Sequence, residues 1–286
     1  MDQRIINLYD EYTHKPLTRE LFIKKLAALT GSTAAALSLL PLLEVNYAQA
    51  ATVPLQDDRI LTERISYPGG GTDAMKAYVA KPKAESNYAG VMVIHENRGL
   101  NPHIENVTRR MALEGFLAIA PDALSTQGGT PADEDQARGM FQNLDMTRTI
   151  GNFAKGFDYL KTRTDCTGKF GCVGFCWGGA MANNMAVHVP ELLAAAPFYG
   201  RQPEADKVPQ IRAALQLHYG ELDERINAGI PAYEEALKKA GKEYEVFIYK
   251  GAQHAFHNDT APTRYNEEAA KLAWKRTVDF FREKLK

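Results

Sequence analysis

The chain has 286 residues, 45% of them hydrophobic and 24% charged, a balance that excludes disorder and a coiled coil and suits an α/β domain. Its 34 basic and 35 acidic residues leave a net charge of −1 with no basic stripe, so nucleic acid is not an expected partner. The three cysteines, Cys166, Cys172 and Cys176, are odd in number and clustered, with no histidine pair nearby, which argues against a disulfide framework and a zinc site.

Residues 1–50 differ in kind from the rest. Leu26 to Leu43 carries no charge, follows Arg19, Lys24 and Lys25, and precedes Ala48-Gln49-Ala50, the small-x-small pattern of a signal-peptidase site. This pattern predicts an export leader cleaved after Ala50, a periplasmic or exported mature protein, and no stable membrane anchor. A cytoplasmic protein follows if the leader does not function. Thr18-Arg19-Glu20-Leu21-Phe22-Ile23-Lys24 resembles the twin-arginine export signal, with Glu20 where the second arginine would stand. Residues 51–286 are expected to form a single domain, entered through 51–72 and a Pro68-Gly69-Gly70-Gly71 turn.

Further along, short apolar runs predict strands at Met75–Ala80, Gly90–His95, Phe116–Ala120, Lys169–Phe175, Ala194–Tyr199, Ala213–Tyr219 and Tyr244–Tyr249. Helical patterns at Ile104–Glu114, Asp133–Leu144, Thr147–Arg163, Gly179–Val189, Pro231–Ala240 and Tyr265–Leu285 lie between them. This alternation describes a mostly parallel sheet with helices on both faces.

Gly174-Phe175-Cys176-Trp177-Gly178 has the form G-x-nucleophile-x-G at the junction of an apolar strand and an alanine-rich helix. In a nucleophile elbow the central residue takes a strained backbone conformation and its neighbours must be small. The helix N-terminus then faces the sulfur and favours a thiolate. The turn is expected to leave Cys176 open to solvent, whereas Cys172, inside the strand, reads as a core thiol. The elbow fold orders its groups as nucleophile, acid, histidine. Leu215 to Asp223 is a strand followed by a turn bearing Asp223, with Glu221 as the alternative carboxylate, and Tyr244 to Phe256 is a strand and a loop bearing His254. These positions fall at the carboxyl ends of parallel strands, where such sheets bind ligands. Among the other histidines, His14 falls in the leader, His103 and His188 in or beside helices and His218 in a strand, all read as structural or solvated. His257 is placed to line the site. His95-Glu96 lacks the second histidine of a zincin.

From about residue 60 onward the chain resembles the dienelactone hydrolases (carboxymethylenebutenolidases), on Gly90–Leu100, Pro121-Asp122, Gly174–Gly179, Ala196–Gly200 and Gly251–Phe256. The resemblance implies an α/β-hydrolase fold, Cys176, Asp223 and His254 as the triad, and Glu96 as a fourth member that hydrogen-bonds the resting thiol and takes its proton when substrate binds. It implies an oxyanion hole from the backbone N–H groups of Trp177 and Asn97. In that family two arginines hold a substrate carboxylate, and the matching positions here are Thr126 and Asn258, which form no charged clamp. Arg98, Tyr199, Arg201 and His257 are therefore the candidate substrate-binding residues, the two arginines having surface solubility as their ordinary alternative. The reading is a thiol-dependent hydrolase of a small-molecule ester or lactone, without metal or organic cofactor and with no oligomeric state implied. A catalytically silent binding scaffold does not need all three groups, and a thiol redox protein would carry a C-x-x-C pair.

Overall fold

The computed structural model describes residues 1–15, 17–44 and 53–286; Ala48-Gln49-Ala50 lies outside them. The short apolar runs become one eight-stranded sheet of β1 (Ile60–Pro68), β2 (Ala74–Pro82), β3 (Tyr88–Ile94), β4 (Leu117–Pro121), β5 (Cys166–Phe175), β6 (Leu192–Phe198), β7 (Ala214–Gly220) and β8 (Tyr244–Tyr249). Its order is β1-β2-β4-β3-β5-β6-β7-β8. β1 and β2 pair antiparallel, as do β2 and β4, and the remaining pairs are parallel.

Successive side chains of a strand point to opposite faces, so Val91 and Val93 enter one core layer while Met92 and Ile94 enter the other. The first layer is closed by α4 (Pro102–Leu113) and α10 (Glu267–Lys284), through Ile104, Val107, Trp274 and Phe281. The second is closed by α6 (Met146–Lys161), α7 (Trp177–His188) and α9 (Ile230–Lys239), through Phe153, Phe157, Met185 and Leu237. Two short helices, α5 (Glu134–Phe141) and α8 (Glu224–Asn227), lie in the connections. This is the α/β-hydrolase architecture. β1, read from sequence as a lead-in, is an additional edge strand whose residues are mostly exposed.

Residues 3–43 form an arm of three helices, α1 (Gln3–His14), α2 (Arg19–Thr30) and α3 (Thr33–Leu43). The apolar stretch of the expected leader is not continuous. Gly31 ends α2 with φ 86°, Ser32 caps α3 by accepting from the Ala35 N–H at 3.1 Å, and the two helices are bent by 111°. No helix among the described residues is long and apolar enough to cross a membrane. The arm has its own core of Leu8, Tyr9, Tyr12, Phe22, Leu26, Leu40 and Leu43, with the rings of Tyr12 and Phe22 stacked at 4.4 Å.

The arm is fastened across the carboxyl ends of the strands. Tyr12 Oη donates to Asp135 at 2.7 Å, Arg138 donates to the Tyr12 carbonyl at 2.6 Å, and Arg225 pairs with Asp10 at 3.1 Å. Arg138 also lies over the Tyr12 ring, 4.2 Å from its centroid.

Candidate active site

β5 runs into α7 with no intervening loop, and Cys176 occupies the junction with φ 56° and ψ −112°. A positive φ is strained for a side chain of this size and persists only where the surroundings enforce it. They do so here through close backbone packing. A Cβ on Gly174 would lie 1.9 Å from the Gly178 carbonyl oxygen, and one on Gly178 would lie 2.3 Å from that of Ile94. The Cys176 N–H donates to the Phe198 carbonyl at 3.1 Å and the Cys176 carbonyl accepts from Ala180 at 3.1 Å. Trp177 opens α7, so its N–H belongs to the unpaired first turn of that helix, next to the sulfur. Its indole is stacked on His95 at 5.4 Å.

Asp223 ends the turn after β7 and caps α8. Its Oδ2 lies 2.5 Å from Nδ1 of His254, with both side chains almost wholly buried. Glu221 is exposed and accepts instead from the Gly251 N–H at 2.7 Å, so the turn presents Asp223 to the histidine. Nε2 of His254 is buried and has no hydrogen-bond partner among the described residues.

The sulfur of Cys176 is covered rather than open to solvent: the residue is 8% exposed, because α1 of the arm ends directly over it. His14, read from sequence as part of a leader, places Nε2 3.1 Å from Cys176 Sγ. Its Nδ1 faces the Asp10 carbonyl at 2.8 Å and the Asp10 carboxylate at 3.1 Å. Burial alone would lower the basicity of His14. The negative charge of Cys176 and the hydrogen bond to Asp10 outweigh it, so the imidazole titrates above its ordinary value. Burial would likewise raise the Asp10 carboxyl, but the charge of His254 and the contacts to His14 and Arg225 hold it well below the usual carboxylate range. The sequence offered no signal for this contact beyond an amphipathic run ending in Thr13-His14, because the partners are 162 residues apart. One ligand atom each from His14, Cys176 and His254 lie within 4.8 Å of one another, a set of two imidazoles and a thiol that could also hold a borderline-soft metal ion.

The other expected residues divide. Glu96, in the loop after β3, accepts through Oε2 from Asn258 at 2.7 Å, and its Oε1 is buried without a hydrogen-bond partner among the described residues. Asn258 thus holds the glutamate instead of facing a ligand as charge. Asn97 follows Glu96 and donates from its side chain to the Thr13 carbonyl at 2.7 Å, tying the arm to the loop expected to form the oxyanion hole. Tyr199 (φ 37°) and the exposed Arg201 both border a cavity of about 470 Å³ that opens on Cys176. Thr13 and His14 form its arm side, and Phe141, Trp177 and Ile226 its apolar side.

One expectation is corrected. His257 does not line that cavity: its ring is stacked on Phe175 at 5.0 Å and edges Phe198 at 5.3 Å inside the core, where burial drives its basicity far down. Arg98 is buried with Nε 3.4 Å from the Glu134 carboxylate and borders a smaller cavity together with Glu96, Cys176 and His254. His218 is structural as read, buried between Gln216 and Tyr249, and burial depresses it to about 3.

Residues 75–285 match the model of the "Dienelactone hydrolase family". Over 248 residues the chain is 31% identical to the Escherichia coli (strain K12) protein named "Putative carboxymethylenebutenolidase", covering 81% of this chain and 90% of that one. A Saccharolobus solfataricus protein of the same name is 30% identical, over 78% of this chain and 98% of its own. The crystal structure titled "Putative Dienelactone Hydrolase" from Klebsiella pneumoniae superposes with a TM-score of 0.70 at 30% identity, over 78% of this chain and 98% of that one.

Proposed function

Because this chain belongs to the dienelactone hydrolase family, we propose that it hydrolyses a small-molecule ester or lactone through the thiol of Cys176, with His254 as a proton carrier oriented by Asp223. The observation that carries this reading is the pairing of a cysteine held at positive φ on a strand-to-helix elbow with a buried Asp223–His254 couple beside it. The thiolate attacks the carbonyl carbon and forms an acyl-enzyme, the alcohol leaves, and water releases the acid. The oxyanion is held by backbone N–H groups of Trp177 and Asn97, a pair of donors of a kind worth about 3–4 kcal/mol each in the transition state. Asp223 keeps the proton of His254 on Nδ1 and so leaves Nε2 as the basic nitrogen.

The substrate follows from the lining. Thr126 is exposed, and Asn258 is buried on Glu96, so neither position supplies a cation to a ligand carboxylate. With Arg98 held by Glu134, Arg201 is the arginine on the cavity rim best placed to meet an anionic group, beside an apolar wall of Phe141, Trp177 and Ile226. An ester or lactone of modest size fits this combination, its apolar part on that wall and any anionic group toward Arg201. The test is a panel of neutral and carboxylate-bearing esters and lactones with wild-type and Cys176→Ala protein. Wild-type turnover should disappear in the variant. Persistent turnover would remove Cys176 as the nucleophile, and a wild-type protein that turns over no member of the panel would overturn the substrate class.

A further inference from the structure

Resting on this thiol-hydrolase reading, we infer that the N-terminal arm is a working part of the active site and that His14 is the base that takes the proton from Cys176. The direct contact on the sulfur belongs to His14, whose Nε2 is 3.1 Å from Sγ. Neither alternative base is hydrogen-bonded to the sulfur: Glu96 accepts from Asn258 through Oε2 while its Oε1 makes no hydrogen bond to a described residue, and His254 Nε2 makes none either. His14 is prepared for the role in the way His254 is. Its Nδ1 donates to the Asp10 carbonyl at 2.8 Å, with the Asp10 carboxylate 3.1 Å away and the Thr13 hydroxyl, itself turned to the Asp10 carbonyl, at 3.0 Å; the proton on Nδ1 leaves Nε2 as the acceptor. Asp10 is in turn held by Arg225 on α8. Two carboxylate-backed imidazoles, from opposite ends of the sequence, therefore converge on one thiol, with ring centroids 4.7 Å apart.

The seat of His14 is built from both sides of the contact. The two residues that precede His14 are fixed by the catalytic domain: Arg138 donates to the Tyr12 carbonyl, Asn97 donates to the Thr13 carbonyl, and Tyr12 donates to Asp135. The groups facing His14 are Asp10 and Cys176, which favour its charged form, and His254, which opposes it. The arm precedes the residues matched by the family model, which begin at 75.

Two bases allow the two half-reactions to be divided. In acylation the Cys176 proton moves to His14 Nε2, the S–C bond forms and the carbonyl electron pair moves to oxygen. When the tetrahedral species collapses the C–O bond breaks, and the departing alkoxide takes the proton from His14. In deacylation His254 Nε2 takes a proton from water, the hydroxide adds to the thioester, the C–S bond breaks, and the thiolate recovers the proton from His254. The sum is ester plus water giving alcohol plus acid.

The experiment is pre-steady-state hydrolysis of p-nitrophenyl acetate by the full chain, where the burst rate reads acylation and the following linear phase reads deacylation. His14→Gln should slow the burst by about 100-fold or more, within the range for loss of a general base, and leave deacylation near wild type. Asp10→Asn should slow the burst in the same direction by less. His254→Gln should retain a burst and stall afterwards. A merely structural His14 would not separate the two phases. A wild-type burst rate in His14→Gln, or loss of the same phase in both histidine variants, overturns the inference while Cys176→Ala, still inactive, upholds the thiol reading. Fully active protein from the native host that begins at Ala51, as the leader expectation requires, would also overturn it, because His14 would then be gone. Turnover by Cys176→Ala would sink both.

Discussion

Asp223→Asn isolates the part of the site that orients His254. The native contact is 2.5 Å long, and the side chains of His254 and Asp223 are only 5% and 2% exposed, so water does not replace it when it is lost. A buried hydrogen bond to a charged group contributes about 1.5–3 kcal/mol, or roughly a 10- to 150-fold change at 1.36 kcal/mol per factor of ten. The amide adds a second effect. Its N–H₂ can donate to Nδ1, which moves the imidazole proton to Nε2 and removes the base, a change of tautomer that reaches about 10⁴-fold in a related triad. The expected loss in kcat/KM is therefore about 10²- to 10⁴-fold. Folding should be preserved, because the asparagine can still accept from the Ile226 N–H that Asp223 caps. The assay is kcat/KM on a chromogenic acetate ester together with Tm. Glu221→Gln is the paired control: that side chain is exposed and holds the Gly251 N–H, so its removal should leave activity within about twofold, as expected of surface changes worth less than ~0.5 kcal/mol. A crippled Glu221→Gln beside an active Asp223→Asn would refute the assignment.

Two further outcomes follow from the geometry. Gly174→Ala should yield insoluble or strongly destabilised protein, because the new methyl would overlap the Gly178 carbonyl, a backbone atom that cannot move aside; a soluble variant with wild-type Tm would contradict the elbow packing. The pH dependence of the arm follows from His14. Its basicity is raised by docking, so the stabilisation it gives is complete below the ordinary imidazole value of 6.5 and is lost as pH climbs through the raised value. The Tm advantage of wild type over His14→Gln should accordingly shrink as pH rises above the ordinary imidazole value, and an advantage that grows with pH would reverse the sign of the argument.

Much of this site was legible because it is built from local signals. Each of the seven strands expected from apolar runs is present, with ends shifted by no more than three residues, since a buried parallel strand must be apolar on both faces. Cys176, Asp223 and His254 each follow such a strand, which is why their approach could be read from chain order. β1 was hidden by its position: as an edge strand it buries Ile60 and Tyr67 and shows polar residues to solvent, so it lacks an apolar run. His257 was misplaced because its distance from His254 in sequence says nothing of direction, and the loop turns it onto Phe175. The pairing of Arg98 with Glu134 was not legible because Glu134 comes from another element. The packing of the arm was not legible: basic residues followed by an apolar stretch describe an export leader by composition alone, and say nothing of the bend at Gly31 or of the contacts that Tyr12, Thr13 and His14 make far along the chain.

The thiol chemistry itself is tested most directly by trapping the intermediate. The full chain should be mixed with a short-chain activated ester, quenched in acid within the burst, and mapped by peptide mass spectrometry. A single acyl group on Cys176, absent in Cys176→Ala and removed with time in wild type, is the result this account requires. An acyl group on another residue, or turnover in Cys176→Ala with no adduct at all, would contradict it.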